Sequence, residues 1–384
     1  MTKTHYDYII AGGGGAGLSL VYHLLQTRLS QKNILIIDRD EKQADDRTWC
    51  FWEAGTGPFE AIVHHRWQHV YFHGENYSEL LDLSPYRYKM IRSGDYYQHI
   101  KQTIAAYPNV EWLSAEVQST QETATGAQVV TSAGTFTADW VFNSLRDPRE
   151  RQSLNSYTYL LQHFKGWVIK TPTDFFNPEE ATLMDFRIEQ HGECRFFYVL
   201  PTDARTALVE FTLFSPELLP APQYEVALRD YLHRFLSLDD YTIAHEEFGV
   251  IPMTNKPYPE QQSAHVINIG TAGGMTKPST GYTFQRIQRD SEQLVGSLLR
   301  TGRPARVSSG WDQRFRLYDS TLFQVMEQPT YPVKEIFTDL FRKNPADRVL
   351  RFLDERSSFK EELQIANSVN RGAFARGMGQ AILS

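Results

Sequence analysis

The chain has 384 residues and a formal net charge of −7, with 39 Lys and Arg against 46 Asp and Glu. That length suits about two or three domains rather than one small core, and the acidic balance argues against nucleic acid as a partner of the whole protein. No apolar run reaches the roughly eighteen residues of a spanning helix, the opening "MTKTHYDYII" has no basic-then-apolar leader, and Cys50 and Cys194 offer neither a disulfide framework nor a Cys-rich metal motif. The expectation is a cytoplasmic protein, soluble or peripherally bound.

Residues 6–11 read as a buried strand, 16–29 as a helix with Leu18, Val21, Leu24 and Leu25 on one side, and "NILIIDR" at 33–39 as a second buried strand. Two apolar strands around a helix make a β-α-β unit and imply a parallel sheet. A helix is expected over 95–107, and a hairpin followed by a strand over 128–145. From about 156 the runs "GWVIKT", "ATLMDFRI", "RFFYVLPT" and "TALVEFTLFS" alternate with turn residues and predict an antiparallel sheet. A helix follows over 224–236, then the apolar strand "HVINIG" at 265–270, a Gly-rich segment and a helix near 281–299. From about 310, aromatic and charged residues alternate at helical spacing. The expected organisation is a nucleotide-binding part over 1–155, a β-rich substrate domain over 156–248, a completing part over 249–300 and a helical region over 301–384.

"DYIIAGGGGAGLS" places Gly12, Gly14 and Gly17 in a G-x-G-x-x-G pattern between a strand and a helix. Gly12 permits the tight turn, Gly14 admits a pyrophosphate to backbone N–H groups, and Gly17 lets the helix pack on the strand. Ala16 lies in the same loop. Asp38 ends the next strand, where a carboxylate can accept from ribose hydroxyls, and Arg39 follows it. A second Gly-rich strand-to-helix turn, "INIGTAGGMTKPSTGYTFQR", begins at Ile267. Flavoproteins of the aromatic hydroxylase type resemble this layout, with a late turn closing on the ribityl chain and flavin. They usually carry Gly-Asp where this chain has Gly270-Thr271, which can hydrogen-bond but brings no charge. The likeness favours FAD over NAD and places Arg92, ahead of a helix, near the cofactor; the plainer role for Arg92 is a surface pair with Asp95.

"DRTWCFW" (46–52), "YKMIRSGDYY" (88–97), "LMDFR" (183–187), "VEFTLFS" (209–215) and "GGMTKPSTGYTFQR" (273–286) together resemble the FAD-dependent lycopene β-cyclases of the bacterial and plant type. The similarity runs from the glycine loop to "DRVLRFLDERSSFKEEL" (347–363). It implies a Rossmann-like FAD-binding domain, an antiparallel substrate domain and a helical C-terminal part. It also adds Arg47, Gly281 and Tyr282 to the cofactor-binding set of Gly12, Gly14, Ala16, Gly17, Asp38, Arg39, Arg92, Gly270 and Thr271. The implied reaction closes the acyclic ends of lycopene to β-ionone rings without net redox change, using reduced FAD with NADPH as the reductant. Plant enzymes carry two adjacent acids where this chain has Glu210-Phe211, so only the first maps here.

Alkene protonation needs an acid that is close, dry and neutral. Glu210 shares a strand face with Leu208, Thr212 and Phe214, where desolvation would raise its pKa. The bland alternative is a glutamate facing water or paired with an arginine. Asp185 is a second acid, able to position Glu210, protonate substrate or simply pair with Arg187. A polyene substrate implies peripheral contact with the inner face of the cell membrane, with 330–343 either a helix lying on that surface or, as readily, an ordinary packed helix. The rival functions are a flavin monooxygenase or prenyl-chain reductase on the same scaffold, and a non-enzymatic carotenoid or flavin carrier.

Overall fold

The computed structural model describes residues 3–146, 157–306, 310–326 and 331–383. The chain divides into two compact units, one of Met1–Asp46, Arg92–Asn155 and Lys256–Ser309, the other of Arg47–Ile91, Ser156–Asn255 and Gly310–Ser384.

The first unit is built on an eight-stranded sheet. Strand His5–Ala11 pairs in parallel with Ile34–Asp38 on one side and Gly134–Asn143 on the other. Its Ile9, Ile10 and Ala11 are wholly buried, as are Ile34, Ile36 and Ile37. Strands covered on both faces are why these segments are continuously apolar rather than alternating. Helix Gly15–Leu25 leaves the first strand through the glycine loop and packs on helix Phe284–Thr301. The expected hairpin is present but the separate strand expected after it is not: Gly134–Asn143 is one continuous strand, and the third strand of the meander, Val117–Thr123, precedes Gly126–Thr131 and pairs antiparallel with it.

The second unit carries a seven-stranded sheet in the order Thr242–Thr254, Tyr159–Lys170, Thr206–Ser215, Cys194–Pro201, Glu180–Asp185, His69–Gly74, Tyr77–Asp82. All its neighbours are antiparallel except Glu180–Asp185 with His69–Gly74, which run parallel. Helix Ala221–Leu236 covers one face. Its Tyr224, Leu228, Tyr231 and Leu232 pack on Trp167, Phe197, Val209, Phe211 and Leu213. Because alternate residues of a strand point to opposite faces, Leu208, Glu210, Thr212 and Phe214 project from the other side. Strands Thr48–Ala54, His65–Trp67 and Tyr86–Arg92 form a small separate sheet.

Two segments fall outside the expected boundaries. Residues 249–253 are not part of the nucleotide-binding unit but the end of strand Thr242–Thr254, which pairs along its length with Tyr159–Lys170. Arg47–Ile91 clusters with the second unit because His69–Gly74 pairs there with a strand more than a hundred residues later in the chain. Of the two roles open to helix Val333–Lys343, membrane-facing or ordinarily packed, the structure shows the packed one. Val333, Ile336, Phe337, Leu340 and Phe341 are buried, Phe341 stacks on Phe72 at 4.6 Å and Phe337 on Phe186 at 5.9 Å. Its apolar stripe serves the core. Among the described residues, no helix is long and apolar enough to cross a membrane.

Candidate active site

In the first unit, the glycine loop has the backbone the spacing demands. Gly12 sits at φ +104°, a region that disfavours side chains, and a Cβ there would fall 2.1 Å from Ser144 Oγ. A Cβ on Gly17 would lie 2.0 Å from the Gly12 carbonyl oxygen, so the helix can begin this close to the turn only with glycine. Gly14 differs: a Cβ there meets nothing within 4 Å. Gly14 is also the N-cap of helix Gly15–Leu25, with no capping side chain and no acid in the first turn. The loop thus combines bare N–H groups, the positive end of a helix and open space beside Gly14, which suits a pyrophosphate. Ala16 lies in that first turn. Asp38 steadies the loop, its carboxylate accepting from Gly13 N at 2.7 Å and Asp40 N at 2.8 Å.

The second glycine turn packs on the first. Gly270 adopts φ +59°, and a Cβ there would come 2.5 Å from Ala16 Cβ. Thr271 Oγ1 lies 3.1 Å from Thr276 Oγ1, Gly281 at φ +72° donates its N–H to Lys277 O at 2.8 Å, and the Tyr282 carbonyl accepts from Lys277 N at 3.0 Å. A buried polar chain locks the helices behind these turns. Tyr96 OH donates to Gly15 O at 3.1 Å and lies 2.8 Å from Ser19 Oγ, which accepts from Gln288 Nε2 at 2.9 Å. The structure therefore gathers Gly12, Gly14, Ala16, Gly17, Asp38, Gly270, Thr271, Gly281 and Tyr282 in one unit. Of the three arginines, Arg39 and Arg92 lie in the same unit and Arg47 in the other. Arg39 is exposed, Arg47 is exposed and belongs to the second unit, and Arg92 makes a two-pronged pair with Asp95 at 3.0 and 3.3 Å, its plainer alternative.

In the second unit, Glu210 is half-buried. Its strand neighbours on that face are Tyr198 on one side and Gly166 on the other. Thr212 donates to Glu210 Oε1 at 2.6 Å. Glu247, buried on the edge strand, brings a second carboxyl near enough for its charge to act on Glu210. Burial first, then the charge of Glu247, push the Glu210 pKa well above the usual carboxylate range, against the opposing pull of the Thr212 hydroxyl. Thr48, on the strand Thr48–Ala54, donates to Glu247 Oε2 at 2.8 Å. Cys50 on the same strand feels both acids, and burial followed by those charges pushes its thiol up. Phe196 meets Phe214 edge-on at 5.8 Å and Tyr198 at 5.2 Å, giving the acid an aromatic surround.

Asp185 has a different environment. It is wholly buried, accepts from Arg187 N at 3.0 Å, from Arg187 Nε at 2.9 Å and Nη2 at 2.5 Å, and from Tyr231 OH at 2.7 Å. Tyr231 in turn stacks on Phe197 at 3.9 Å. These contacts tie the end of a strand to helix Ala221–Leu236. The structure does not pair Asp185 with Glu210. The acid that sequence reasoning missed is Glu247. The signal was "HEEFGV": with adjacent glutamates on a strand, one must face inward.

The lycopene cyclase protein family model matches residues 7–380. This chain belongs to the lycopene cyclase family. Its sequence is 25% identical to a lycopene beta-cyclase of Pseudescherichia vulneris over 296 residues, 72% of this chain and 70% of that protein. Its fold is similar to a geranylgeranyl bacteriochlorophyll reductase-like protein of Thermoplasma acidophilum, with TM-score 0.67 at 10% identity over 97% of this chain and 98% of that one. A flavoprotein/dehydrogenase from Cytophaga hutchinsonii gives 0.63 at 11% identity over 98% and 99%. The p-nitrophenol 4-monooxygenase of Pseudomonas putida gives 0.58 at 14% over 98% of both. The architecture of this lycopene cyclase family member is thus that of flavoproteins, a mixed α/β fold with helices after residue 310.

Proposed function

We propose that this protein is a lycopene β-cyclase that closes the acyclic ends of lycopene to β-ionone rings by acid catalysis, with Glu210 as the proton donor. The observation that carries the reading is the Glu210 carboxyl, whose pKa is pushed far up on an aromatic-lined sheet face. A pKa raised in this way favours the protonated form of the carboxyl, as an alkene requires of its acid.

The chemistry follows from that group. Glu210 gives its proton to the terminal double bond, leaving a tertiary cation on the substrate. The C5=C6 bond closes the six-membered ring and moves the cation to C5. Glu210, now a carboxylate, takes the C6 proton, so one proton enters and one leaves and the mass is unchanged. Phe196, Tyr198 and Phe214 make that side of the sheet aromatic, a surface suited to a cation and to excluding water that would trap it as an alcohol. Asp185 holds Arg187 and Tyr231 in place and keeps the sheet and helix fixed behind this face.

The first unit fits FAD through Gly12, Gly14, Ala16 and Gly17 at the pyrophosphate, Asp38 at the ribose, and Gly270, Thr271, Gly281 and Tyr282 at the late turn. Bound in reduced form, FAD would supply an electron-rich ring able to stabilise a cation, with NADPH proposed as the source of its electrons. The substrate dissolves in membranes, so peripheral contact with a bilayer is part of the reading.

The deciding experiment is expression in cells accumulating lycopene, followed by chromatography and mass measurement of the pigment. The expected result is a cyclic product of unchanged mass, lost in Glu210→Gln. Lycopene persisting beside folded, flavin-loaded protein would refute the reading. A flavin monooxygenase or prenyl-chain reductase, the second reading of this scaffold, would instead consume NADPH in proportion to a product of altered mass.

A further inference from the structure

The scheme above leaves Glu247 without a task. We propose that Glu247 is a positioning residue that shares one proton with Glu210 and so keeps Glu210 protonated at neutral pH, with Gly166 as the gap through which the two side chains meet. The proposal deepens the reading of Glu210 as proton donor and rests on it.

The geometry begins with register. Glu210 and Glu247 are not on neighbouring strands; Tyr159–Lys170 runs between theirs, and Gly166 pairs with both. At the usual strand spacing their backbones are therefore roughly 10 Å apart. Two glutamate side chains can meet across that distance only if nothing stands on the middle strand. Glycine weakens the interior of a strand and marks a close approach, and here the approach is that of Glu247. A Cβ on Gly166 would fall 2.9 Å from Leu208 Cδ1, 3.0 Å from Glu247 Cγ and 3.1 Å from Glu247 Oε1, so Leu208 and Glu247 together fill the space that glycine leaves. Each acid is then held from outside by a hydroxyl, Thr212 on Glu210 Oε1 and Thr48 on Glu247 Oε2. Across this gap the charge of Glu247 acts on Glu210, and two acids so placed are best accommodated with one proton between them.

The groups around the pair set the direction of its titration. From strand Thr48–Ala54 comes Cys50, whose thiol burial and the two acids push up, with Tyr88 pulling the other way. From the neighbouring strand comes Tyr198, paired with Glu210. Further along the edge strand lies His245, exposed. Lys165 and Glu246 belong to the opposite face, where Lys165 pairs with Glu246 at 2.8 Å and Glu225 at 3.2 Å. Like charges in a desolvated site cannot both ionise readily, so the pair loses its protons in two separated steps that belong to both residues. The same repulsion serves each half of the reaction. It keeps the donor loaded before the substrate is protonated, and it makes the carboxylate left behind a stronger base for the C6 proton. The substrate cation offsets the transient pair of anions, and no proton beyond that of Glu210 is consumed.

The test compares Glu247→Gln with the unaltered protein, both loaded with flavin. Glutamine matches glutamate in shape and can still accept from Thr48, but it carries no charge. Cyclisation measured against pH should fall at the alkaline end, and in Glu247→Gln that fall should move acidward by about one pH unit or more. Above the fall, activity then drops about tenfold or more, while the plateau at lower pH persists. The infrared carbonyl band of the protonated carboxyl, assigned by its loss in Glu210→Gln, should titrate with the same displacement in the absence of carotenoid. Gly166→Ala should displace both readouts in the same direction by pushing Glu247 aside, which covers a Glu247→Gln variant that fails to fold. An infrared titration unchanged in both variants would overturn the proposal, whether activity is intact or uniformly reduced. Infrared displacement in a protein that cyclises nothing would leave the shared proton standing and remove the cyclase reading.

Discussion

Glu210 and Asp185 are acids on one sheet, and the sheet treats them in opposite ways. Asp185 is the more deeply placed, yet it is ringed by donors: Arg187 grips it through backbone and guanidinium, and Tyr231 donates from the helix. Glu210 keeps some accessible surface, yet its companions are one hydroxyl and another carboxyl. Depth alone therefore does not decide what a carboxyl becomes. A buried acid given a cation becomes part of the frame, whereas one given a second acid and aromatic walls becomes a neutral proton store.

The widest split between the two should appear in activity. Glu210→Gln removes the donor, and cyclisation should fall by at least the 10²- to 10⁴-fold typical of general acid catalysis, with flavin content and thermal unfolding near those of the parent. Asp185→Asn should retain most activity per folded molecule. Chromatography of pigment from purified, flavin-loaded variants measures both, and equal loss in the two would erase the distinction. Next in size is Gly14→Val, which separates acid from cofactor. A Cβ at Gly14 meets no protein atom within 4 Å, so the chain should fold with an unaltered circular dichroism spectrum. The added bulk would occupy the place proposed for pyrophosphate. Colourless protein without cyclase activity is expected, with the Glu210 carbonyl band still present; yellow protein with normal flavin content would contradict the loop assignment.

Asp185→Asn should show its main effect in stability. Losing the charge-assisted hydrogen bonds from Arg187 and Tyr231 should cost roughly 1.5–3 kcal/mol, read as a lower midpoint in urea at unchanged slope. Because the Arg187 side chain is 38% exposed, water can take over part of its solvation, which favours the lower end of that range. A midpoint identical to the parent would mean that these contacts are replaceable, and that the frame role of Asp185 is wrong.

What could be read in the sequence was whatever chemistry is written locally. The glycine loop, its helix and Asp38 span residues 12–38 and obey backbone rules that hold in any context. Glu210 stood out because one charged residue interrupts an apolar alternation. Glu247 did not, since its meaning comes from a register that sets Gly166 between two strands 37 residues apart in their numbering of the acids. Residues 47–91 were assigned to the nucleotide-binding part for the same reason, because nothing local in "HVYFHG" announces a parallel partner at Glu180–Asp185. The stripe of helix Val333–Lys343 reads equally well as a membrane face or a core face, and only its contacts with Phe72 and Phe186 decide.

The finest separation of the two acids lies in how stability depends on pH. The folded protein holds the Glu210 proton well above the usual carboxylate range, so between that range and the raised value the folded state binds more protons than the unfolded chain. Unfolding free energy must then decline as pH rises through that window. Glutamine does not titrate, so Glu210→Gln should lack this decline, and its melting temperature should gain on the parent progressively from about pH 5 upward. Asp185→Asn leaves Glu210 and Glu247 in place, so the decline that they cause should persist in it. Calorimetric scans of the three proteins from acid to mildly alkaline pH make the comparison. If the Glu210→Gln curve runs parallel to the parent, Glu210 gives up its proton in the ordinary range, and the two acids differ only in their neighbours and not in their charge.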